Sequence, residues 1–172
     1  MTPRILIAGV GNIFLGDDGF GVEVAQRLLR RSMPDGVRVI DFGIRGFDLA
    51  YTLMDDYDAI VLIDAVPRGE TPGTLYTIEP DLNALDVSAP GDAAVETHGM
   101  NPLKVLGMVK AMGGQPKRLL VVGCEPERST EGEDVERMGL SEPVAAAVDQ
   151  AVAMVESLVV ALVTEHQAAA AP

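Results

Sequence analysis

The stretch Ile5-Leu-Ile-Ala-Gly-Val-Gly-Asn-Ile-Phe-Leu-Gly-Asp-Asp-Gly-Phe-Gly21 decides the fold of this chain. It begins with a continuous apolar run, continues as a glycine-rich loop and carries two adjacent carboxylates, Asp17 and Asp18. A helical pattern follows, in which apolar residues between positions 22 and 29 share one face. A buried strand, a loop and a helix in this order are typical of an open parallel sheet, which places its chemistry at the carboxyl ends of its strands.

The rest of the chain repeats this alternation of apolar runs and helical patterns. The patterns predict strands at 4–10, 37–42, 59–65, 74–78 and 118–124, and helices at 19–31, 47–54, 101–112 and 141–163. The strand at 74–78 is short and alternating, which indicates an edge strand that can run antiparallel. We therefore expect a single α/β domain over residues 1–172, with 164–172 as a frayed tail. It should be a three-layer α/β/α sandwich, a mostly parallel twisted sheet of about five strands with helices on both faces.

The composition narrows the possible compartments and partners. The 172 residues carry a net charge of −13, which argues against nucleic acid or an anionic membrane as partner. The single cysteine rules out an intramolecular disulfide and fits a reducing compartment. The longest apolar segment, near 152–163, is interrupted by Glu156 and Ser157 and does not resemble a membrane span. We therefore expect a cytoplasmic protein.

Several reactive side chains follow the predicted strands. Asp18, Asp41, Asp64 and Cys124 all lie at or just after a strand's carboxyl end, so the fold should bring them to one edge. A carboxylate such as Asp64, after four apolar residues, is costly to desolvate unless it is paired or bound to a metal. With His98, which ends a long loop, the acids offer a three-ligand site of two oxygens and one nitrogen. Such a site suits nickel, zinc or cobalt better than calcium.

The first loop also has readings that need no metal. Its glycines, Gly9 and Gly11, can simply let the chain turn close to the sheet. One of Asp17 and Asp18 can cap the following helix, which leaves the other for a ligand. A dinucleotide fingerprint would need a third glycine where Phe14 stands.

Two other classes of site fit less well. A phosphoacceptor site of the response-regulator kind also uses acids after two strands, with magnesium, but it usually needs a lysine at a late strand end. The late strand here ends Gly123-Cys124-Glu125. The chain has no G-x-S-x-G nucleophile elbow, and Cys124 follows an apolar run that predicts a buried thiol.

Taken together, these motifs resemble those of the nickel–iron hydrogenase maturation endopeptidases. The resemblance covers roughly residues 5–163. It rests on Gly9-Val-Gly11-Asn12 with Gly16-Asp-Asp-Gly-Phe-Gly21, on Asp41-Phe-Gly43 with Gly46, on Ile63-Asp64-Ala65, and on His98 just ahead of a helix. Where the family often has Gly-Thr after strand two, this chain has Ile44, which lacks the hydroxyl.

The resemblance implies a hydrolase, a protease that removes the C-terminal extension of the hydrogenase large-subunit precursor after nickel insertion. It implies that Asp18, Asp64 and His98 contact a nickel ion that arrives with the substrate, although other divalent ions can occupy such a site. It also implies catalysis without a conventional serine or cysteine nucleophile. We assign Asp41 as the candidate catalytic carboxylate. The glycine-rich loops should support the site, through Gly9, Gly11, Asn12, Asp17 and Gly43. The long loops at 79–96 and 125–138 are expected to contact the partner.

Overall fold

A computed structural model describes residues 1–83, 102–128 and 137–170 of the chain. The strands are β1 (Ile5–Val10), β2 (Val37–Gly43), β3 (Ala59–Ala65), β4 (Leu75–Ile78) and β5 (Leu119–Cys124). The α-helices are α1 (Phe20–Leu28), α2 (Gly46–Leu53), α3 (Pro102–Ala111) and α4 (Glu142–Ala169), and a 3-10 turn (Gly16–Gly19) precedes α1.

The five strands form one sheet in the order β2-β1-β3-β5-β4. β1 pairs in parallel with β2 and with β3, and β3 pairs in parallel with β5. The edge strand β4 runs antiparallel to β5, as its short alternating sequence predicts. The expected mostly parallel sheet of about five strands is therefore confirmed.

Helices cover both faces of the sheet, and each face has its own hydrophobic core. On one face α1 and α4 pack against the residues of β1, β3 and β5 that point to that side, including Ile7, Val61 and Val122. On the other face α2 and α3 pack against the alternate set, including Leu6 and Leu62. All six residues of β1 are buried, because this strand lies between two neighbours and under helices on both sides.

Two glycines let α1 approach the sheet closely. A Cβ atom added to Gly9 would lie 2.4 Å from the carbonyl oxygen of Gly21 and 2.5 Å from Cβ of Ala25. A Cβ atom added to Gly21 would lie 2.0 Å from the carbonyl oxygen of Ile63. Helix and strands therefore touch backbone to backbone, which places the turn before α1 directly over the ends of β1 and β3.

The last helix corrects one expectation. Residues 164–169 continue α4 instead of fraying, since alanine is the best helix former and Glu165 is anchored to Arg118 by an ion pair of 2.6 Å. Among the described helices, α4 is long and apolar enough to cross a membrane by length and composition alone. A core helix passes the same test, and α4 buries the stripe Val144, Val148, Val152, Val155 and Val159 in the protein core.

Candidate functional site

A cleft of about 680 Å³ lies at the carboxyl ends of β1, β3 and β5. It brings Asp18, from the turn after β1, together with Asp64, from the end of β3. Asp17 and the loop that follows β5 complete its polar wall. The remaining wall is largely apolar, built from Leu15, Leu62, Ala65, Val66, Pro67, Ile78, Pro102, Val121 and Pro126. A mostly apolar cleft with a few convergent carboxylates is the usual form of a binding site.

The carboxylate of Asp18 is held by the loop that precedes it. Its Oδ2 accepts a hydrogen bond of 2.7 Å from the backbone N–H of Asn12. The side-chain oxygen of Asn12 accepts a hydrogen bond of 2.9 Å from the backbone N–H of Phe14. The backbone carbonyl of Asn12 accepts one of 3.1 Å from the backbone N–H of Leu15. Asn12 therefore shapes the loop and orients the acid at once.

Asp64 lies near the end of β3, after five buried residues. Its Oδ1 accepts the N–H of Ala65 at 2.8 Å, and its side chain is partly exposed to the cleft. Gly123 lies opposite Asp64 in the β3–β5 register, so β5 contributes no side chain next to the carboxylate. The strand order thus places an acid at a position where a ligand in the cleft can reach it.

Asp17 does not cap α1, contrary to one sequence interpretation. The N-cap residue is Gly19, and no side chain donates or accepts a capping bond there. Instead Asp17 is 9% exposed and accepts hydrogen bonds from distant segments. Its Oδ2 accepts the N–H of Glu127 at 2.8 Å and the hydroxyl of Ser141 at 2.9 Å, while Oδ1 accepts the N–H of Ser141 at 2.7 Å.

The loops after β1 and β2 support one another. The N–H of Gly11 donates to the carbonyl of Gly43 at 3.0 Å, and both glycines have positive φ values, 135° and 54°. A Cβ atom at Gly11 would lie 1.8 Å from the carbonyl oxygen of Asp18. Gly11 is therefore required for the turn to pass so close to the acid.

Asp41 lies one strand away from the acids of the cleft. It lies two residues before the end of β2, which pairs with the side of β1 away from β3, and it is not among the residues that line the cleft. Its Oδ2 accepts a hydrogen bond of 2.7 Å from Gln26 on α1. A catalytic role for Asp41 stays a prediction.

His98 lies outside the described residues, as does position 101, where the helix at 101–112 was expected to begin. Within 1–83, 102–128 and 137–170, the histidine, cysteine and acidic side chains form no group of three or more that could hold a metal. Asp18 and Asp64 lie in the described part of the chain, and a metal-binding role for Asp18, Asp64 and His98 stays a prediction.

The side chains of Cys124 and Ser141 are both buried. Cys124 is fully buried, as expected, and burial together with the negative charges of Asp17 and Glu125 raises the pKa of its thiol to about 12. The hydroxyl of Ser141 is bonded to Asp17. Catalysis without a conventional serine or cysteine nucleophile stays a prediction.

Sequence reasoning missed the role of Glu125. This carboxylate is 1% exposed and accepts the N–H groups of Arg68 and Gly69, at 2.7 and 3.0 Å, and the hydroxyl of Tyr76 at 2.6 Å. The Tyr76 bond, followed by backbone N–H groups of the 68–70 loop, lowers the pKa of Glu125. Its position directly after an apolar strand was the available signal, the same one that singled out Asp64. Glu125 stands where a phosphoacceptor site would carry lysine, so the geometry gives that alternative no support.

The comparisons with known proteins agree with one another. A family model described as hydrogenase maturation protease (HycI) matches residues 22–158. A hydrogenase expression/formation protein (HupD) of Rhizobium leguminosarum is 32% identical, over 99% of this chain and 83% of its own length. A putative hydrogenase maturation protease of Methanocaldococcus jannaschii is 36% identical, over 88% of this chain and 93% of its own length.

Solved structures give the same answer. The crystal structure of a hydrogenase 2 maturation peptidase from a Thaumarchaeota archaeon superimposes with a TM-score of 0.65 and 33% identity, covering 90% of this chain and 97% of the other. The solution structure of an endopeptidase from Escherichia coli superimposes with a TM-score of 0.70 and 31% identity, over 88% of this chain and 89% of the other. The family match, these relatives and the shared fold establish that the chain belongs to the hydrogenase maturation protease family.

Proposed function

We propose that this protein is a cytoplasmic endopeptidase that removes the C-terminal extension of a nickel–iron hydrogenase large-subunit precursor after nickel has been inserted. It recognises the nickel through Asp18, Asp64 and His98. The observation that carries the proposal is the meeting of Asp18 and Asp64 in one cleft of a hydrogenase maturation protease.

The donor set fits recognition of a metal that is already bound elsewhere. Two carboxylates and one imidazole leave coordination positions vacant, and the precursor's own ligands can fill these while the protease supplies the rest. The bond from Asn12 to Oδ2 of Asp18 and the bond from Ala65 to Oδ1 of Asp64 fix both acids in advance. Fixing the ligands beforehand reduces the entropy cost of binding.

The cleft has room for the peptide as well as the metal. Its volume, about 680 Å³, lies within the range of binding clefts, about 300–1,000 Å³. The apolar wall from Ala65 to Pro67 and the opposite wall at Leu15 can enclose several residues of the precursor and exclude water from the reacting bond.

The chemistry is that of a hydrolase with a metal in the substrate. Nickel held next to the scissile peptide can polarise its carbonyl or lower the pKa of a water molecule. A carboxylate of the protease then acts as general base, and Asp41 is our candidate. Its distance from the cleft lining means that it would act on a substrate that extends over the β1–β2 loops.

The test uses purified large-subunit precursor with and without nickel, analysed by mass spectrometry after incubation with the protein. We expect only the loaded precursor to lose its extension. Asp18→Asn, Asp64→Asn and His98→Ala should each lower kcat/KM by about 100-fold or more, since each removes a ligand from the recognised metal. Asp149→Asn, which alters only an exposed ion pair with Arg27, is the matched control and should cleave normally.

Two results would contradict the proposal. Equal cleavage of the nickel-free and nickel-loaded precursors would remove the metal from recognition. Undiminished cleavage by His98→Ala would remove the imidazole from the ligand set.

A further inference from the structure

The carboxylate of Asp17 ties together segments that are far apart in the sequence. The turn that holds Asp17 and Asp18 lies at the start of the chain, while Glu127 and Ser141 come 110 and 124 residues later. Both oxygens of Asp17 are engaged, by two backbone N–H groups and one hydroxyl. Charged acceptors make stronger hydrogen bonds than neutral ones, so these bonds hold the three segments firmly.

Backbone bonds fasten the same turn from the other side. The N–H of Gly16 donates to the carbonyl of Arg137 at 2.7 Å, and the N–H of Arg137 donates to the carbonyl of Phe14 at 3.0 Å. Leu15 and Arg137 thereby form a parallel bridge. The segment that leads into Asp18 is therefore fixed independently of any contact made by the carboxylate of Asp18.

We propose that Asp17 is a positioning residue for Asp18. By fixing the Gly16–Gly19 turn against the loop after β5 and the start of α4, it holds the neighbouring carboxylate at a constant place in the cleft with Asp64. Asp17 does not itself bind the metal, because its oxygens accept protein donors. This inference rests on the proposed function, in which Asp18 and Asp64 recognise nickel.

An aspartate is the residue type that this role requires. A carboxylate presents only acceptors, and here it faces three donors at 2.7–2.9 Å. In Asp17→Asn the amide NH₂ would point at one of those donors, which leaves buried polar groups unsatisfied and lets the turn move. In Ser141→Ala only the hydroxyl bond is lost, so a smaller displacement of the turn is expected.

The experiment measures the affinity of Ni²⁺ for the isolated protein by titration calorimetry and kcat/KM on nickel-loaded precursor. Asp17→Asn should weaken Ni²⁺ binding at least 10-fold, and Ser141→Ala about 2–5-fold. The double variant should bind Ni²⁺ no more weakly than Asp17→Asn, because both changes act on the same hydrogen bonds between Asp17 and Ser141. Val155→Ala, fully buried in the α4 core, is the control for stability. It should lower the melting temperature and leave Ni²⁺ affinity unchanged.

Three outcomes distinguish a failure of the positioning role of Asp17 from a failure of the proposed function. If Asp17→Asn keeps the wild-type Ni²⁺ affinity while Asp18→Asn loses it, the positioning role is wrong and the proposed function stands. If Asp18→Asn also keeps the wild-type affinity, both are wrong. Should Asp17→Asn fail to fold, Ser141→Ala decides: a lowered melting temperature with unchanged Ni²⁺ affinity overturns the positioning role.

Discussion

The hydroxyl of Tyr76 donates a hydrogen bond of 2.6 Å to Oε2 of Glu125, which joins β4 to the residue that directly follows β5. The carboxylate also accepts N–H groups from the loop after β3, so a buried charge organises the segment that follows Asp64. Successive N–H groups aimed at one anion form a nest, and here the anion belongs to the protein itself.

Replacing Glu125 by Gln should destabilise the protein and impair cleavage. The amide NH₂ would face N–H and O–H donors in a site that excludes water, so the 68–70 loop would lose its fixed shape. We expect a fall of several degrees in melting temperature and a raised KM for the precursor, measured by calorimetry and steady-state cleavage. Tyr76→Phe removes one donor and should have a smaller effect on both. Equal values for Glu125→Gln and the wild type would contradict this account.

Stability should decline in alkali because of Tyr76 and Cys124. Burial raises the pKa of Tyr76 from its ordinary 10.0 to about 12, with the Glu125 hydrogen bond adding to the shift, and burial raises that of Cys124 from 9.0 to about 12. Both pKa values are higher in the folded state than in the unfolded state, so the unfolded state loses these protons first. The free energy of unfolding is therefore unaffected below pH 9 and falls as the pH rises from 9 to 12. Urea midpoints at pH 8–12 measure this. A Tyr76→Phe, Cys124→Ala variant should show a weaker decline, and an unchanged pH dependence would exclude both groups.

Adding a methyl group at Gly9 should destabilise the protein strongly. The new carbon would lie 2.4 Å from the carbonyl oxygen of Gly21, in a contact where backbone meets backbone. Overpacking of this kind costs about 1–3 kcal/mol or more, and chemical denaturation of Gly9→Ala measures the loss. Gly19→Ala is the control, because its added carbon meets Cα of Ile13 at 3.2 Å and its φ of −72° suits alanine. Equal losses in both variants would show that close packing at Gly9 is not the cause.

Replacing Asp41 by Asn tests the assigned general base. Loss of general-base catalysis lowers rates by about 100-fold or more, so kcat should fall while Ni²⁺ affinity is retained. Gln26→Ala removes the hydrogen-bond partner of Asp41 and keeps the carboxylate, so its kcat should stay within a few-fold of the wild type. A fully active Asp41→Asn variant would end the assignment and leave the base to be found elsewhere.

The sequence predicts those features that depend on local periodicity. Continuous apolar runs identify β1, β3 and β5, and because parallel strands share their carboxyl edge, the meeting of Asp18 with Asp64 follows from strand order alone. The antiparallel edge strand is predicted equally well by its short alternating pattern.

Long-range side-chain bonds were not predictable in the same way. Asp17 precedes a helix, which locally predicts a helix cap. Its buried carboxylate instead accepts hydrogen bonds from Glu127 and Ser141, which are distant in the sequence. Glu125 likewise satisfies donors in a loop more than fifty residues away. The expected fraying from residue 164 is wrong as far as Ala169, because alanine-rich sequence and the ion pair of Glu165 with Arg118 extend the helix.

The pairing of α1 with α4 on one face has a consequence for biosynthesis. The core on that face joins β1 to α4, which is translated after β5, whereas the opposite core needs nothing beyond β5. While the ribosome still holds α4, the α2–α3 side can already close, but the apolar surfaces of α1 and β5 that α4 covers stay exposed to water. The hydrogen bonds between Asp17 and Ser141, which hold the turn of Asp18 in place, therefore form only after α4 has emerged.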